Sequence, residues 1–232
     1  MKSLLLMSSS RAANPNYLEH GFAWLTEHFQ DRKVLFIPYA GIGMSHAEYT
    51  AKVANALKPQ GLMVEGIESH TSPVHAIEQA EAIAVGGGNT FMLLHLLYKH
   101  GLVDKMKQKI NTGTPYAGWS AGSNITGPSI RTTNDMPIIQ PQSFRAVNAV
   151  PFQLNPHFTD AQPEGHRGET RSQRIHEFMH VDHRTAVVGI PEGTALKISD
   201  KQIKFLGELP GMLFQGGQQR AFPPHSDLSF LL

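Results

Sequence analysis

The sequence predicts an α/β fold: a mainly parallel sheet with helices on both faces and antiparallel edge strands near the C-terminus. Three observations predict it. Short, continuous apolar runs such as 4–7, 33–38 and 82–85 suit strands buried on both faces. Runs with helical spacing separate them at short intervals through the first half. Gly, Pro and Asn punctuate the joins, and neither a linker nor an internal repeat is visible, so residues 1–232 read as one domain.

Taken in order, 4–7 is the first strand, ended by three serines. Asn14-Pro15 reads as a helix cap with proline at the first helical position, and Leu18, Phe22, Leu25 and Phe29 repeat on one helical face. Residues 33–38 form the second strand. The Gly41-Ile-Gly43 loop leads to a helix carrying Tyr49, Val53, Ala54 and Leu57, which Pro59 and Gly61 stop. Strands follow at 62–67 and 82–85, with a short helix from Ser72-Pro73 between them. A sharp Gly86-Gly87-Gly88-Asn89 turn opens a helix over 90–100, which Gly101 caps, and a further helical segment runs to about Ile110. Strand 115–118 runs into Ser120, where another helix begins.

The second half is less regular. Residues 129–142 read as loop, and 149–154 as a strand ending at Asn155-Pro156-His157. After a loop at 163–168, Thr170 and Gln173 form a capping-box pattern for a helix through about His180. Residues 185–190 are an apolar strand ending at Pro191-Glu192-Gly193. Short strands near 195–198, 202–206 and 212–214 supply the antiparallel edge, and the tail from Gly216 shows little pattern.

Composition narrows the function. The net charge is +1 with no basic block, so no nucleic-acid partner is expected. With no cysteine there is no disulfide, thiolate metal site or cysteine nucleophile. No apolar run approaches membrane-spanning length, so no membrane partner is expected. The apolar start is too short for a signal peptide and lacks a convincing cleavage site, which points to a cytoplasmic protein.

The chemistry concentrates at Gly118-Trp119-Ser120-Ala121-Gly122, a Gly-x-Ser-x-Gly nucleophile elbow between a strand and a helix. The turn is strained, so small neighbours must let the chains pass closely. Such a serine needs a base, and the base needs an orienting acceptor. Ser120, His157 and Glu192 each lie just past the end of an expected strand, beside glycine or proline, and form a candidate relay. Their order is not the Ser…Asp/Glu…His of α/β-hydrolases, which disfavours a lipase or esterase fold. The N–H groups of Ala121 and Gly88 are the candidate oxyanion donors. The glycine run lacks dinucleotide-fingerprint or P-loop spacing, so no nucleotide is expected. A competing pattern, His176-Glu177-Phe178-Met179-His180, matches His-Glu-x-x-His, but the third zinc ligand is missing and both histidines read as surface residues.

Several blocks then carry a family resemblance. These are Gly-Gly-Gly-Asn-Thr-Phe at 86–91, Gly-Trp-Ser-Ala-Gly at 118–122 and Arg-Thr-Thr-Asn-Asp-Met-Pro at 131–137. Asn-Pro-His-Phe-Thr at 155–159, Pro-Glu-Gly-His at 163–166, Gly-Glu-Thr-Arg at 168–171 and Pro-Glu-Gly at 191–193 extend it. Together they resemble the peptidase E family, the serine-type aspartyl dipeptidases, from the first strand to about residue 200. The resemblance implies a fold like the class I glutamine-amidotransferase domains, which are flavodoxin-like. It implies hydrolysis of dipeptides with an N-terminal aspartate, without metal or other cofactor. The family's Ser-His-Glu triad falls on Ser120, His157 and Glu192. The partner expected is then a small dipeptide substrate. Oligomeric state is left open, a homodimer being one expectation.

An aspartyl side chain calls for a cation, and arginine can grip a carboxylate with two parallel hydrogen bonds. Arg131, Arg167, Arg171 and Arg174 are candidates, with Arg171 favoured because it stands in the Gly-Glu-Thr-Arg block. Asn89 and Asp135 are further substrate-binding candidates, and Asp135 and Glu169 are the acids available to a free amino terminus. Cyanophycinase-like enzymes, which cut β-linked aspartyl peptides from a similar elbow serine, are the alternative reading.

Overall fold

Five parallel strands and two antiparallel ones make a seven-stranded sheet. They are β1 (Ser3–Met7), β2 (Val34–Ile37), β3 (Val64–Gly66), β4 (Ala82–Val85), β5 (Tyr116–Trp119), β8 (Ala195–Ser199) and β9 (Gln202–Leu206). Their spatial order is β3-β2-β4-β5-β1-β8-β9, with β8 and β9 as the antiparallel edge. The computed structural model describes residues 2–13, 16–162, 164–165 and 167–232.

Register explains why the sheet builds a site at one end. Val85 of β4 pairs with Gly118 of β5, and Met7 of β1 pairs with Trp119. The carboxyl ends of three neighbouring strands are therefore level. Ligands of open parallel sheets bind outside those ends.

Strand side chains alternate between two buried faces, as period-two geometry requires. Leu4, Leu6, Ile83 and Val85 pack on one face under α4 (Thr90–Lys99) and α5 (Val103–Asn111). Leu5, Met7, Phe36 and Trp119 pack on the other, under α1 (Phe22–Phe29) and α2 (His46–Leu57). The short α3 (Pro73–Gln79) opens at Ser72, whose side chain caps it by accepting from the N–H of His75.

The structure divides the expected strands between two sheets. The strand expected near 212–214 is not part of the antiparallel edge, because it pairs with 187–189 and not with 202–206. With those expected over 149–154 and 185–190 it belongs to a second sheet. That sheet contains β6 (Gln153–Pro156), β7 (Val187–Ile190), β10 (Gly211–Gln215) and β11 (Gln218–Phe222), in the order β11-β10-β7-β6. Val188, Ile190 and Leu213 join the main core, while Val187 and Phe214 meet Ile175 and Met179 of α7 (Arg171–Val181). The capping box at Thr170 and Gln173 is formed as expected.

Boundaries differ where local groups compete for the backbone. The strand expected over 149–154 begins only at Gln153, because the N–H groups of Ala149 and Val150 are spent on the Thr126 carbonyl and Pro151 has none. The first helix starts at Phe22, since Leu18 sits at φ 61°, outside helical geometry, and a single 3-10 turn covers Glu19–Gly21. The cap expected at Asn14-Pro15 lies outside the described residues, as do Pro163 and His166. The helix after Ser120, α6 (Ala121–Asn124), is one turn long. Among the described residues no helix is long and apolar enough to cross a membrane.

Candidate active site

Ser120 is the residue between β5 and α6, at φ 54° and ψ −114°. That backbone is costly for any residue with a Cβ, by roughly 1–3 kcal/mol, and survives only where its surroundings fix it. Here they do. A Cβ on Gly118 would lie 2.4 Å from the Gly122 carbonyl, and one on Gly122 would lie 2.2 Å from the Val85 oxygen. Tyr116, fully buried, donates its hydroxyl to the Gly122 carbonyl at 2.6 Å. Burial pushes the Tyr116 phenol well up, so it stays a donor.

His157 follows β6, and Glu192 comes two residues after β7. These strands are parallel neighbours with Pro156 opposite Ile190, so their exits are adjacent. Ser8, just past β1, ties them together: its buried hydroxyl accepts from the His157 N–H at 2.8 Å and donates to the Ile190 carbonyl at 2.7 Å. One short polar side chain thus fixes both strand exits to the central sheet. Only its position at the end of the first strand marked it in the sequence.

The side chains complete a continuous relay. His157 Nε2 lies 2.9 Å from Ser120 Oγ, and His157 Nδ1 lies 2.6 Å from Glu192 Oε1. An ionised carboxylate only accepts, so Nδ1 carries the proton toward Glu192. Nε2 is then free to accept from the serine. Glu192 is exposed over 57% of its side chain. Its hold on the imidazole therefore comes from that short bond more than from burial.

Ser120, Ala121, Asp135, His157 and Arg171 border one cavity of about 230 Å³. Thr90, Asn124, Thr133 and Asn134 also border it. Thr90, Thr133 and Asn134 stand within the 86–91 and 131–137 blocks but are not singled out there, and Asn124 carries no signal beyond nearness to the serine elbow. Arg171 opens α7, and its Nη1 donates to the carbonyls of Pro156 and His157. Burial lowers its pKa, while the nearby Glu192 carboxylate opposes the shift. It is the single arginine among the four candidates that borders this cavity, judged on the described residues. Arg131 pairs with Asp182 at 2.8 Å, Arg174 faces Glu169 at 3.7 Å, and Arg167 is exposed.

Asp135 is partly committed. Its Oδ2 accepts from the N–H and the hydroxyl of Thr90 at 2.7 and 2.6 Å, and from the Thr133 hydroxyl at 3.2 Å. It thereby docks the 131–137 loop on the N-terminus of α4, where the helix dipole favours an anion. Asn89 caps the same helix: its side-chain oxygen accepts from the Met92 N–H, and its amide donates to the Met136 carbonyl at 2.8 Å. Both ends of the Asn89 amide are thus engaged, and the residue stands outside the cavity wall.

The two N–H groups expected as oxyanion donors, on Gly88 and Ala121, have no acceptor among the described residues. Gly88 needs its φ of 137° and its lack of a side chain, because a Cβ there would sit 2.1 Å from the Ala40 oxygen. His176 and His180 lie on α7, where His176 Nδ1 is 2.7 Å from the Ser172 carbonyl and His180 is exposed. Among the described residues no three His, Cys, Asp or Glu side chains are grouped to hold a metal ion.

Known proteins resemble this chain in sequence and in fold. The model of peptidase family S51 matches residues 4–206. A peptidase E of Shewanella baltica is 51% identical over 98% of this chain and 97% of its own length. One from Shewanella putrefaciens is 49% identical over 98% of each. Among solved structures, a Listeria monocytogenes EGD-e protein provisionally described as a peptidase E superposes with a TM-score of 0.68 at 27% identity, covering 89% of this chain and 98% of its own. A peptidase from an acI-B1 Actinobacterium gives 0.71 at 17% identity over 99% and 97%, a likeness of fold.

Proposed function

The chain belongs to peptidase family S51 and is a peptidase, and we propose that it is a serine exopeptidase that hydrolyses dipeptides with an N-terminal aspartate. The observation carrying this reading is that the Ser120–His157–Glu192 relay and Arg171 meet at one small cavity.

Ser120 Oγ attacks the aspartyl carbonyl and passes its proton to His157 Nε2. Glu192 holds the imidazole in the required tautomer and stabilises the imidazolium. The N–H groups of Gly88 and Ala121 receive the oxyanion. As the C–N bond breaks, His157 returns the proton to the leaving amine. Water, deprotonated by the same histidine, then cleaves the aspartyl ester and releases aspartate. Arg171 is the cation for the substrate's side-chain carboxylate. Asp135, whose second oxygen is uncommitted, borders the cavity and is the acid for the free amino terminus; Glu169 stands outside the cavity wall.

The test is hydrolysis of Asp-Leu beside Leu-Leu and β-Asp-Leu, by the wild type and Ser120→Ala, with and without chelator. The reading expects cleavage of Asp-Leu alone, lost in the variant and indifferent to chelator. Preference for the β-linked peptide would move the assignment to a cyanophycinase-like hydrolase. Activity that survives the substitution but fails with chelator would move it to the His176–His180 helix.

A further inference from the structure

Beneath the Gly86–Gly88 turn lies a cluster of three hydroxyl- and indole-bearing rings that the relay does not use, with Tyr49 and Trp119 buried and Tyr17 half-buried. Tyr49 donates its hydroxyl to the Gly87 carbonyl at 2.9 Å. The same oxygen accepts from the Tyr17 hydroxyl at 3.3 Å and the Trp119 indole N–H at 3.4 Å. Its one proton and both lone pairs are therefore engaged. The ring itself is clamped, lying edge-on to Phe36 at 5.1 Å, while Phe36 stacks on Trp119 at 5.7 Å.

We propose that Tyr49 is a positioning residue for the oxyanion hole, fixing the Gly87–Gly88 peptide plane so that the Gly88 N–H faces the reacting carbonyl. The inference rests on Ser120 acting as the nucleophile and Gly88 as an oxyanion donor. A trans peptide is planar, with its C=O and N–H on opposite sides, and no peptide bond in the described chain is cis. Anchoring the Gly87 oxygen from the core side therefore turns the Gly88 N–H outward. Three consecutive glycines have little torsional preference of their own, so this orientation must come from outside the loop. The next peptide is held from its other side, where the Asn89 N–H donates to the Ala40 carbonyl at 2.9 Å. The loop also abuts the nucleophile: a Cβ on Gly87 would sit 3.0 Å from Ser120 Cβ. Because Trp119 immediately precedes Ser120, one ring cluster gauges the glycine loop against the serine turn. Burial raises the Tyr49 phenol pKa, which keeps it a donor.

Tyr49→Phe removes the hydroxyl and keeps the ring. The experiment measures three quantities: kcat/KM on Asp-Leu, affinity for the boronic acid analogue of aspartate, which forms a tetrahedral adduct on serine, and, in a Ser120→Ala background that cannot form the adduct, affinity for intact Asp-Leu. The first two should fall together by about tenfold, a fraction of what losing an oxyanion donor outright costs. Intact Asp-Leu, whose carbonyl is still neutral, should bind within about twofold of the same background with Tyr49 in place. Unchanged boronate affinity, or a parallel loss for intact Asp-Leu, would overturn the proposal. If Tyr49→Phe does not fold, Tyr17→Phe serves, since it removes a hydroxyl that orients Tyr49 without touching Gly87. It should weaken boronate by about threefold, and no change would overturn the proposal. A wild-type enzyme that neither turns over Asp-Leu nor binds the boronate would instead sink the underlying reading of the site.

Discussion

Ser120 and His157 hold φ angles of 54° and 55°, and their side chains meet at 2.9 Å from Oγ to Nε2. Two non-glycine residues in a disfavoured region are thus aimed at each other from different sheets. The strain is part of the aim, because a relaxed backbone at either position would carry its side chain elsewhere.

This gives an inverted stability order at the nucleophile. Ser120→Ala and Ser120→Gly both remove the hydroxyl, and both should lower turnover by at least about 10³-fold. Yet the glycine variant should be more stable than the alanine variant by about 1 kcal/mol, because glycine adopts positive φ without penalty. For a domain of this size that is roughly 2–4 °C in Tm. Calorimetry of the two variants checks it, and an alanine variant equal to or above glycine would contradict the strained-turn account.

Arg171 carries the specificity prediction. Arg171→Ala should lower kcat/KM on Asp-Leu by about 100-fold or more, the scale of a lost charge-assisted pair. Its effect on Asn-Leu should be much smaller, since no carboxylate is lost there. The ratio between the substrates separates recognition from support: Arg171 also donates to the carbonyl of His157, and loss of that support alone would lower both rates equally.

The three relay residues were legible because each follows a strand whose apolar run ends at glycine or proline. What remained hidden depends on partners distant in sequence. Ser8 joins His157 to Ile190 across the whole fold, and nothing in its neighbours marks that role. Tyr49 shows in the sequence only as an apolar position on a helix face, since its hydroxyl partner is a loop carbonyl far along the chain. Three strands of the second sheet were expected, but their pairing apart from the first sheet is not visible in sequence, and the fourth strand was missed for another reason. In β11 only Phe222 is buried, so Gln218–Phe222 lacks strand alternation. The signal that was available is Gly216-Gly217, at φ 60° and 78°, the positive pair favoured in a two-residue hairpin turn. The centre of the first sheet was easier because both faces of β2 and β4 are covered, which makes those strands apolar throughout.

Gly88 tests the oxyanion loop from the opposite side to Tyr49. A Cβ there would meet the Ala40 carbonyl at 2.1 Å on a backbone with φ of 137°. Gly88→Ala must therefore shift the loop or the strand exit beside it. The expected result is a loss in kcat of roughly 10²–10³-fold, the scale of one missing oxyanion donor, with KM for Asp-Leu changed far less. A loss confined to KM would place Gly88 in ground-state binding.

His28 should dominate one part of the pH dependence of stability. It is 8% exposed, its Nε2 lies 3.0 Å from the Tyr116 carbonyl, and burial lowers its pKa from 6.5 to about 4. A neutral ring whose Nε2–H donates to that carbonyl fits the site, whereas a second proton would have no water to solvate it. The unfolded chain therefore binds more protons than the folded one between about pH 4 and 6.5, and stability rises with pH across that window. The folded protein should lose about 3 kcal/mol as pH falls from 6.5 to 4, since each pH unit in that window is worth about 1.4 kcal/mol. Above 6.5 this group adds no slope. His28→Gln retains an N–H donor without titrating, so urea unfolding at several pH values should show a shallower acid limb in the variant. Identical limbs in the two proteins would assign the acid sensitivity to other groups.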